Sequence, residues 1–453
     1  MATLILAAVG SAVGGFIAGP LGALAGQALG GLGGAFLQPR AGVNTRVEIG
    51  PRLTKVAGLT SMEGAPLPRV YGRARIGGQM IWATRLLEQT NVSFAPGSGG
   101  KATGPARPAQ VNISYTYFAN FAVGLCEGPI AFVRRVWADG QELDLTTVTM
   151  RVYRGDEEQD ADPLIVAKEG ADVVPAYRGL AYVVFERMPL AQFGNRVPQL
   201  SFEVVRPVDG VARMIRAVDI IPGATEFGYQ PKLHSSYPGP GTTVQENRSQ
   251  SWAATDWQGS IDALQALCPN LESVALVVAW FGDDLRAGHC TIAPRVDNTF
   301  KTISWIFGSD WSVAGLSRAT ARLVSQIDGV SAYGGTPSDD SVVAAIKDLK
   351  ARGLSVVFYP FVMMDIAAGN ALADPWTGAA SQPAYPWRGR IVCDPAPGRP
   401  ATVDATSAAA SQVAAFFGSA APGRKRMVVS ALRPALRRSL RAGRRRRRLS
   451  RRL

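Results

Sequence analysis

Apolar and polar positions change their period along the chain, and the changes mark out its parts. From residue 42 to about 215, short β-branched or aromatic segments recur: Ala74 to Thr84, Asn112 to Val123, Ile130 to Trp137, Val148 to Tyr153, Leu180 to Phe185 and Gln199 to Val205. Turn formers stand between them at Gly77-Gly78, Asp139-Gly140, Gly155-Asp156 and Gly194-Asn195. Alternating polarity between turn signals predicts an antiparallel sheet or barrel module. Pro66 and Pro68 predict an extended approach to it, Gly77-Gly78 a turn with positive φ, and Asp139-Gly140 a tight hairpin. The stretch Ala95 to Pro108, rich in Gly, Pro, Ser and Ala and carrying Lys101 and Arg107, predicts a mobile insertion.

After Pro207 the pattern becomes one of alternating helix and strand. A polar connector containing Pro222, Pro231, Pro238 and Pro240 comes first. Trp257 to Cys268 has Ile261, Leu264, Ala266 and Leu267 at helical spacing. Val274 to Trp280 is an unbroken apolar run, as expected of a strand buried on both faces. Pro337 to Arg352 predicts a helix capped by Thr336, with Val342, Val343, Ile346 and Leu349 as its buried stripe and Gly353 as its stop. Leu354 to Met363 predicts a second buried strand and Arg390 to Cys393 a third, before an Ala-rich helix from about Ala405 to Phe417. Repeated βα units imply a parallel α/β architecture.

The two ends differ from the body. Residues 1–39 carry no charged side chain, and ten of the first 40 residues are glycine. Gly22, Gly26, Gly30 and Gly34 fall four apart, so a helix would align them as a smooth stripe that permits close backbone approach in lipid or in a tight bundle. Membrane insertion and a packing arm within an assembly both fit. Pro20 favours two helical segments over one clean span, and the lack of a basic start argues against a secretory signal. At the other end, Arg424 to Leu453 hold 14 of the 48 Lys and Arg and no acid. The preceding chain has 34 basic residues against 35 acidic ones, so the formal charge of +13 belongs to this tail. Phosphate binding and a nuclear or membrane address are two readings of such a run. The reading taken here is a frame shift that replaced the true continuation with Arg-rich text.

The four cysteines, Cys126, Cys268, Cys290 and Cys393, form no CxxC pair, and the two histidines are His234 and His289. Neither a zinc site nor a disulfide framework is indicated, and no metal or cofactor is expected.

The string Glu63-Gly64-Ala65-Pro66-Leu67-Pro68-Arg69-Val70-Tyr71-Gly72-Arg73-Ala74-Arg75-Ile76-Gly77-Gly78 resembles the opening of tail-tip hub, or host-specificity, proteins of long-tailed phages and gene transfer agents. Tyr115-Thr116-Tyr117-Phe118, then Gly124-Leu125-Cys126-Glu127-Gly128-Pro129-Ile130, then Arg135-Val136-Trp137-Ala138-Asp139-Gly140 follow in the same order. The second half resembles the glycoside-hydrolase-like TIM-barrel domain of gene transfer agent tail proteins. Trp280 to Gly288, Ala332 to Asp339, Tyr359 to Asp365, Pro386 to Ile391 and Gln412 to Gly418 carry that resemblance.

Taken together, these readings give a multidomain α+β chain: a β-rich tail-hub module followed by an incomplete (β/α) TIM-barrel-like domain. The expected layout is an apolar helical segment at 1–40, the hub module at 41–215, a connector at 216–251, a partial barrel at 252–423 and a basic disordered tail at 424–453. A full barrel needs about 250 residues, more than the partial-barrel segment supplies. Glycosidases place two carboxylates at the ends of barrel strands, and Asp283, Asp284 and Asp365 stand where such groups would. Helix capping or loop bonding is the plainer role for them, and no glycosidase activity is expected of this chain. Trp376, Tyr385 and Trp387 are candidates to stack on sugar rings. The resemblance implies a structural part of a tail tip or baseplate that joins the tail tube to receptor-binding parts and aids DNA delivery. It implies other tail proteins and further copies of itself, in a ring, as partners. It also implies cytoplasmic assembly before residence in a virion-like particle, with inner-membrane contact through residues 1–39. The rival functions are cleavage of cell-wall or capsular glycan, and DNA binding through the arginine tail.

Overall fold

A computed structural model describes residues 46–49, 64, 66–95, 110–208, 210–223, 225–301, 310–386 and 391–418. The glycine stripe Gly22, Gly26, Gly30 and Gly34, the insertion at 96–109, Trp387 and the arginine tail lie outside the described residues. Among those described, no helix is long and apolar enough to cross a membrane. The chain divides into two compact units, Met1–Gly58 with Ala83–Asn120 and Arg187–Val197, and Leu59–Trp82 with Phe121–Glu186 and Pro198–Leu453.

The first half of the chain is β-rich. Its strands are β1 (Arg46–Ile49), β2 (Gly72–Gly77), β3 (Gln79–Ala83), β4 (Leu87–Ala95), β5 (Gln110–Glu127), β6 (Phe132–Ala138), β7 (Gln141–Glu142) and β8 (Thr149–Tyr153). Helix α1 (Pro163–Glu169) precedes β9 (Leu180–Pro189) and β10 (Leu200–Arg206). In the first unit, β1 runs parallel to the start of β5, and β4 runs antiparallel to it, with Leu87 opposite Phe118 and Ala95 opposite Gln110. In the second unit, one sheet has the order β2-β10-β6-β7. There the Asp139-Gly140 signal holds: φ is 50° at Asp139 and 86° at Gly140, and Ala138 pairs with Gln141 across a two-residue turn. Elsewhere in the same unit β8 pairs antiparallel with β9, Thr149 opposite Glu186 and Tyr153 opposite Tyr182.

Two sequence expectations need correction here. Gly77 and Gly78 do not take positive φ; the left-handed glycine nearby is Gly72, at φ 75°. What Gly78 supplies is space, because a Cβ there would run into the Val123 side chain and come within 3.0 Å of the Gly124 carbonyl oxygen. Helix α1 was not foreseen in the strand-like stretch. Asp162 caps it, accepting from the N–H groups of Leu164 (2.8 Å) and Ile165 (3.2 Å), and Pro163 occupies its first turn. Arg151 also donates to Asp162, from Nε at 2.6 Å and Nη2 at 3.0 Å, and the Tyr153 hydroxyl donates at 2.7 Å. Burial works against the Asp162 charge, yet these donors outweigh it and hold its pKa below the ordinary value.

The second half builds a parallel sheet. Short helix α2 (Val211–Met214) leads to β11 (Ala217–Ile220), the hairpin β12 (Ser235–Gly239) and β13 (Thr242–Gln245), helix α3 (Asp256–Leu267) and β14 (Ser273–Gly282). A long excursion follows, containing β15 (Ile292–Ala293), β16 (Arg295–Val296), β17 (Ser312–Val313), β18 (Leu316–Ser317), β19 (Arg322–Leu323), β20 (Gln326–Ile327) and β21 (Val330–Ser331). Helix α4 (Asp339–Ala351), β22 (Ser355–Met364) and α5 (Ser407–Phe417) complete it. Strands β11, β14 and β22 are parallel, with β14 in the middle and β15 antiparallel at its end. Trp257 and Ile261 of α3, and Val342, Ala345, Ile346 and Leu349 of α4, pack with Val274, Leu276 and Val278 of β14 in one apolar core. At ~25 cal/mol per Å² of apolar surface removed from water, that contact is what holds helices to sheet. Tyr229 anchors the connector there, its hydroxyl 2.7 Å from the Ile220 carbonyl and 2.5 Å from that of Val277.

Among the described residues these strands do not close into a barrel. Strand β22 was expected to be buried on both faces, but among the described residues it pairs with β14 alone, and it leaves Val357 and Tyr359 exposed. The expected strand at Arg390 to Cys393 reduces, within the described residues, to one parallel bridge between Val392 and Arg286, beyond the end of β14. Helix α4 is capped by Ser338, whose hydroxyl accepts from Ser341 N at 3.3 Å. Thr336 is not its cap, because its hydroxyl is engaged by the Arg295 N–H at 3.1 Å.

The Gly78 contact gives a direct test. Gly78→Ala is expected to lower stability by about 1–3 kcal/mol through overpacking against Val123 and Gly124. Gly77→Ala, with open space at its Cβ, is expected to stay within about 0.5 kcal/mol of the parent. Urea unfolding of both variants compares the two.

Candidate functional site

The carboxyl ends of the parallel strands gather most of the buried charge in this half. Register places Gly282 opposite Met364, so Asp283 and Asp365 leave adjacent strand ends at one level, and Asp365 N donates to Gly282 O at 2.9 Å. Glu226 follows the end of β11 in the connector. Charged partners come from the excursion after β14. Arg295 Nη1 lies 2.6 Å from Asp365 Oδ2, with side chains 9% and 0% exposed. Arg318 Nη2 lies 2.6 Å from Glu226 Oε2, with side chains 4% and 0% exposed. Arg322 Nη1 lies 3.0 Å from Asp283 Oδ2, at 65% and 26% exposure.

Each nominated carboxylate is thereby accounted for. Asp365 Oδ2 also accepts from Ser325 N at 2.9 Å, which ties the excursion's backbone to the end of β22. Its Oδ1 and the Arg295 Nε are buried without a hydrogen-bond partner, so the pair is end-on rather than bidentate. Asp283 Oδ1 accepts from Thr291 N at 2.7 Å. Asp284 is held apart from the other two: Arg286 donates to it from Nε at 3.0 Å and Nη2 at 2.7 Å, and Gln382 Nε2 donates at 2.7 Å. Burial opposes ionisation of Asp284, but the Arg286 and Gln382 bonds prevail and keep its pKa below the ordinary range. A carboxyl meant to donate a proton needs the opposite shift.

The proposed sugar-stacking residues sit differently. Trp376 is 37% exposed, in a turn where its N–H donates to Asp374 Oδ1 at 2.7 Å. Tyr385 is half-buried against the Phe281, Val324 and Tyr333 cluster, and its hydroxyl donates to Gln326 O at 3.3 Å. Trp387 lies outside the described residues. No group of three or more His, Cys, Asp or Glu among the described residues is arranged to hold a metal.

Sequence reasoning missed the most perturbed acid, Glu226. It accepts from Asp297 N at 2.8 Å and faces Arg318, which also reaches Asp310 at 3.2 Å and Asp297 at 3.6 Å. Lys301 bridges Glu246 at 2.8 Å and Asp297 at 2.9 Å. Burial pushes the Glu226 pKa up to about 7; Arg318 pulls it down and the Asp297 charge adds to the rise. A single glutamate in a polar connector, with its cation 92 positions away, leaves no local signal.

No protein-family model matches the chain, and no curated protein matches it. The chain is similar to one in a solved structure described as "Virion of native gene transfer agent (GTA) particle", at 41% sequence identity, covering 42% of this chain and 39% of that one. It therefore spans well under two thirds of that relative, and with a TM-score of 0.26 the superposition carries no argument about fold. The particle named in that description is of the class to which the sequence motifs point.

Unequal burial predicts unequal costs. Asp365→Ala leaves Arg295 charged and buried without its carboxylate, and is expected to cost about 3–5 kcal/mol. Arg322→Ala removes an exposed partner and is expected to cost less than about 1 kcal/mol. Thermal or urea unfolding reads both.

Proposed function

We propose that this chain is part of the tail-tip hub of a phage-like gene transfer agent particle. Its β-rich half would join the distal tail tube to receptor-binding parts and assist DNA delivery. Its βα half would carry the opening units of a hydrolase-like TIM barrel in a structural capacity. The observation that carries this reading is the order of the hub-like motifs, three of which coincide with structural junctions while the fourth, Tyr115 to Phe118, lies inside β5. The Pro66 to Gly78 string runs into β2, Gly124 to Ile130 bridges β5 and β6, and Arg135 to Gly140 forms the β6–β7 hairpin.

The strand-end acids support a structural role for the second half. A retaining or inverting glycosidase needs one carboxyl kept protonated and a second free to attack sugar or water. Asp284 is held ionised by Arg286 and Gln382, and the side chain of Asp365 is fully buried against Arg295. Asp283 and Arg322, the most open of these pairs, still bond each other.

Antibody labelling of purified particles, with release of sugars from peptidoglycan measured on the purified chain, tests the proposal. Label at the tail tip and no release above a heat-treated control are expected. Absence from particles would refute the hub reading, and release that fails in Asp283→Asn or Asp365→Asn would establish the hydrolase instead.

A further inference from the structure

The segment Asp310–Ser331 reaches the strand ends through a cluster in which anions outnumber cations. Four carboxylates, Glu226, Asp297, Glu246 and Asp310, share two cations, Arg318 and Lys301. Arg318 alone faces three of them, from three directions: Glu226 on the connector, Asp297 after β16, and Asp310 at the head of the segment. Glu226 is the one with no exposed side chain. Asn298 O also accepts from Arg318 Nη1 at 2.7 Å, so the guanidinium keeps partners whatever the state of Glu226. The Asp297 Oδ1 is buried without a hydrogen-bond partner, which shows the anionic side to be undersupplied with donors.

We propose that Asp310–Ser331 is a proton-controlled latch over the strand ends: it is held most firmly when Glu226 carries a proton and loosens when Glu226 ionises. The reasoning is electrostatic. With Glu226 ionised the cluster has two anions in excess; Asp310 is screened by water at 53% exposure, but Glu226 is fully buried, and one proton on it halves the excess without depriving Arg318 of acceptors. The same segment carries Arg322 to Asp283, offers Ser325 N to Asp365 and supplies Trp311 and Val313 to a core with Phe227 and Val296. Loosening it takes Arg322 from Asp283 and the Ser325 N–H from Asp365, while Arg295, outside the segment, stays on Asp365. Ser338 N donates to Glu226 O at 3.0 Å, just before Asp339 and Asp340 at the start of α4. The neighbouring His234 stacks on Phe227, and burial lowers its pKa, which opposes charging of the ring on acidification.

The direction follows from linkage. Glu226 is raised from 4.5 to about 7 in the closed form, so the closed form binds the extra proton between those values and its hold weakens as pH rises through 7. Relative to an open state with an ordinary glutamate, opening should increase about tenfold between pH 6 and pH 8. Amide hydrogen exchange on the full chain, corrected for the intrinsic pH dependence of exchange, tests this.

Protection across Asp310–Ser331 is expected to fall about tenfold over that interval while protection in β9 holds steady. Glu226→Gln should abolish the change and keep the segment protected at both pH values. Asp297→Asn, which removes the like charge, should move the midpoint to lower pH. Equal protection at pH 6 and pH 8 would overturn the latch. So would a fall shared equally with β9, retention of the dependence in Glu226→Gln, or, should that variant fail to fold, an unmoved midpoint in Asp297→Asn.

Discussion

Buried charge must be matched, and the second half of this chain is organised by that requirement. Parallel strands run their carboxyl ends to one side, where acids leave the sheet at neighbouring positions. Ionised carboxylates taken out of water cost several kcal/mol each unless a cation and hydrogen-bond donors replace the solvent. Here the replacement comes from a single excursion, inserted between β14 and α4, which sends Arg295 to Asp365, Arg318 to Glu226 and Arg322 to Asp283. Among its described residues the excursion has little regular structure, only two-residue strands. Its apolar anchor, Trp311 and Val313, is modest, and the Arg295–Asp365 and Arg322–Asp283 pairs fix its register against the sheet. Stability and the shape of the strand ends are thus one problem.

The same principle acts in the first half at smaller scale. Asp162 caps α1, receives Arg151 and Tyr153, and so links the helix to β8 through one buried carboxylate. In both halves an acid does two local jobs at once, satisfying backbone N–H groups and neutralising an arginine. Removing such a residue therefore disturbs more than one contact, which is why single substitutions there are poor guides to catalysis.

Much of the fold was legible in sequence because it rests on local signals. Alternation marked seven of the ten strands β1 to β10, Asp139-Gly140 marked its hairpin, and the apolar run at Val274 to Trp280 marked the central parallel strand. The failures share a cause. Burial on both faces was inferred for β22 from composition alone, but burial depends on what covers a strand, and Val357 and Tyr359 are exposed. Thr336 looked like a cap by spacing, while Ser338, nearer the helix, makes the bond. Asp162-Pro163 was a readable helix start that strand-like neighbours obscured. At the candidate site, Asp283, Asp284 and Asp365 were visible because they follow strands. Their partners were not, since Arg295 lies 70 positions from Asp365 and Arg318 lies 92 from Glu226, and no periodicity connects such pairs.

A double-mutant cycle on Arg295 and Asp365 bears most directly on the claim that the strand-end carboxylates serve as anchors for the excursion. It uses Arg295→Met, Asp365→Leu and the two combined, with stability measured by unfolding. The account predicts that each single change is costly and that the double variant recovers, giving a coupling of about 2 kcal/mol or more. Additive losses would contradict it, since they would mean that Asp365 is held by something other than the arginine it faces.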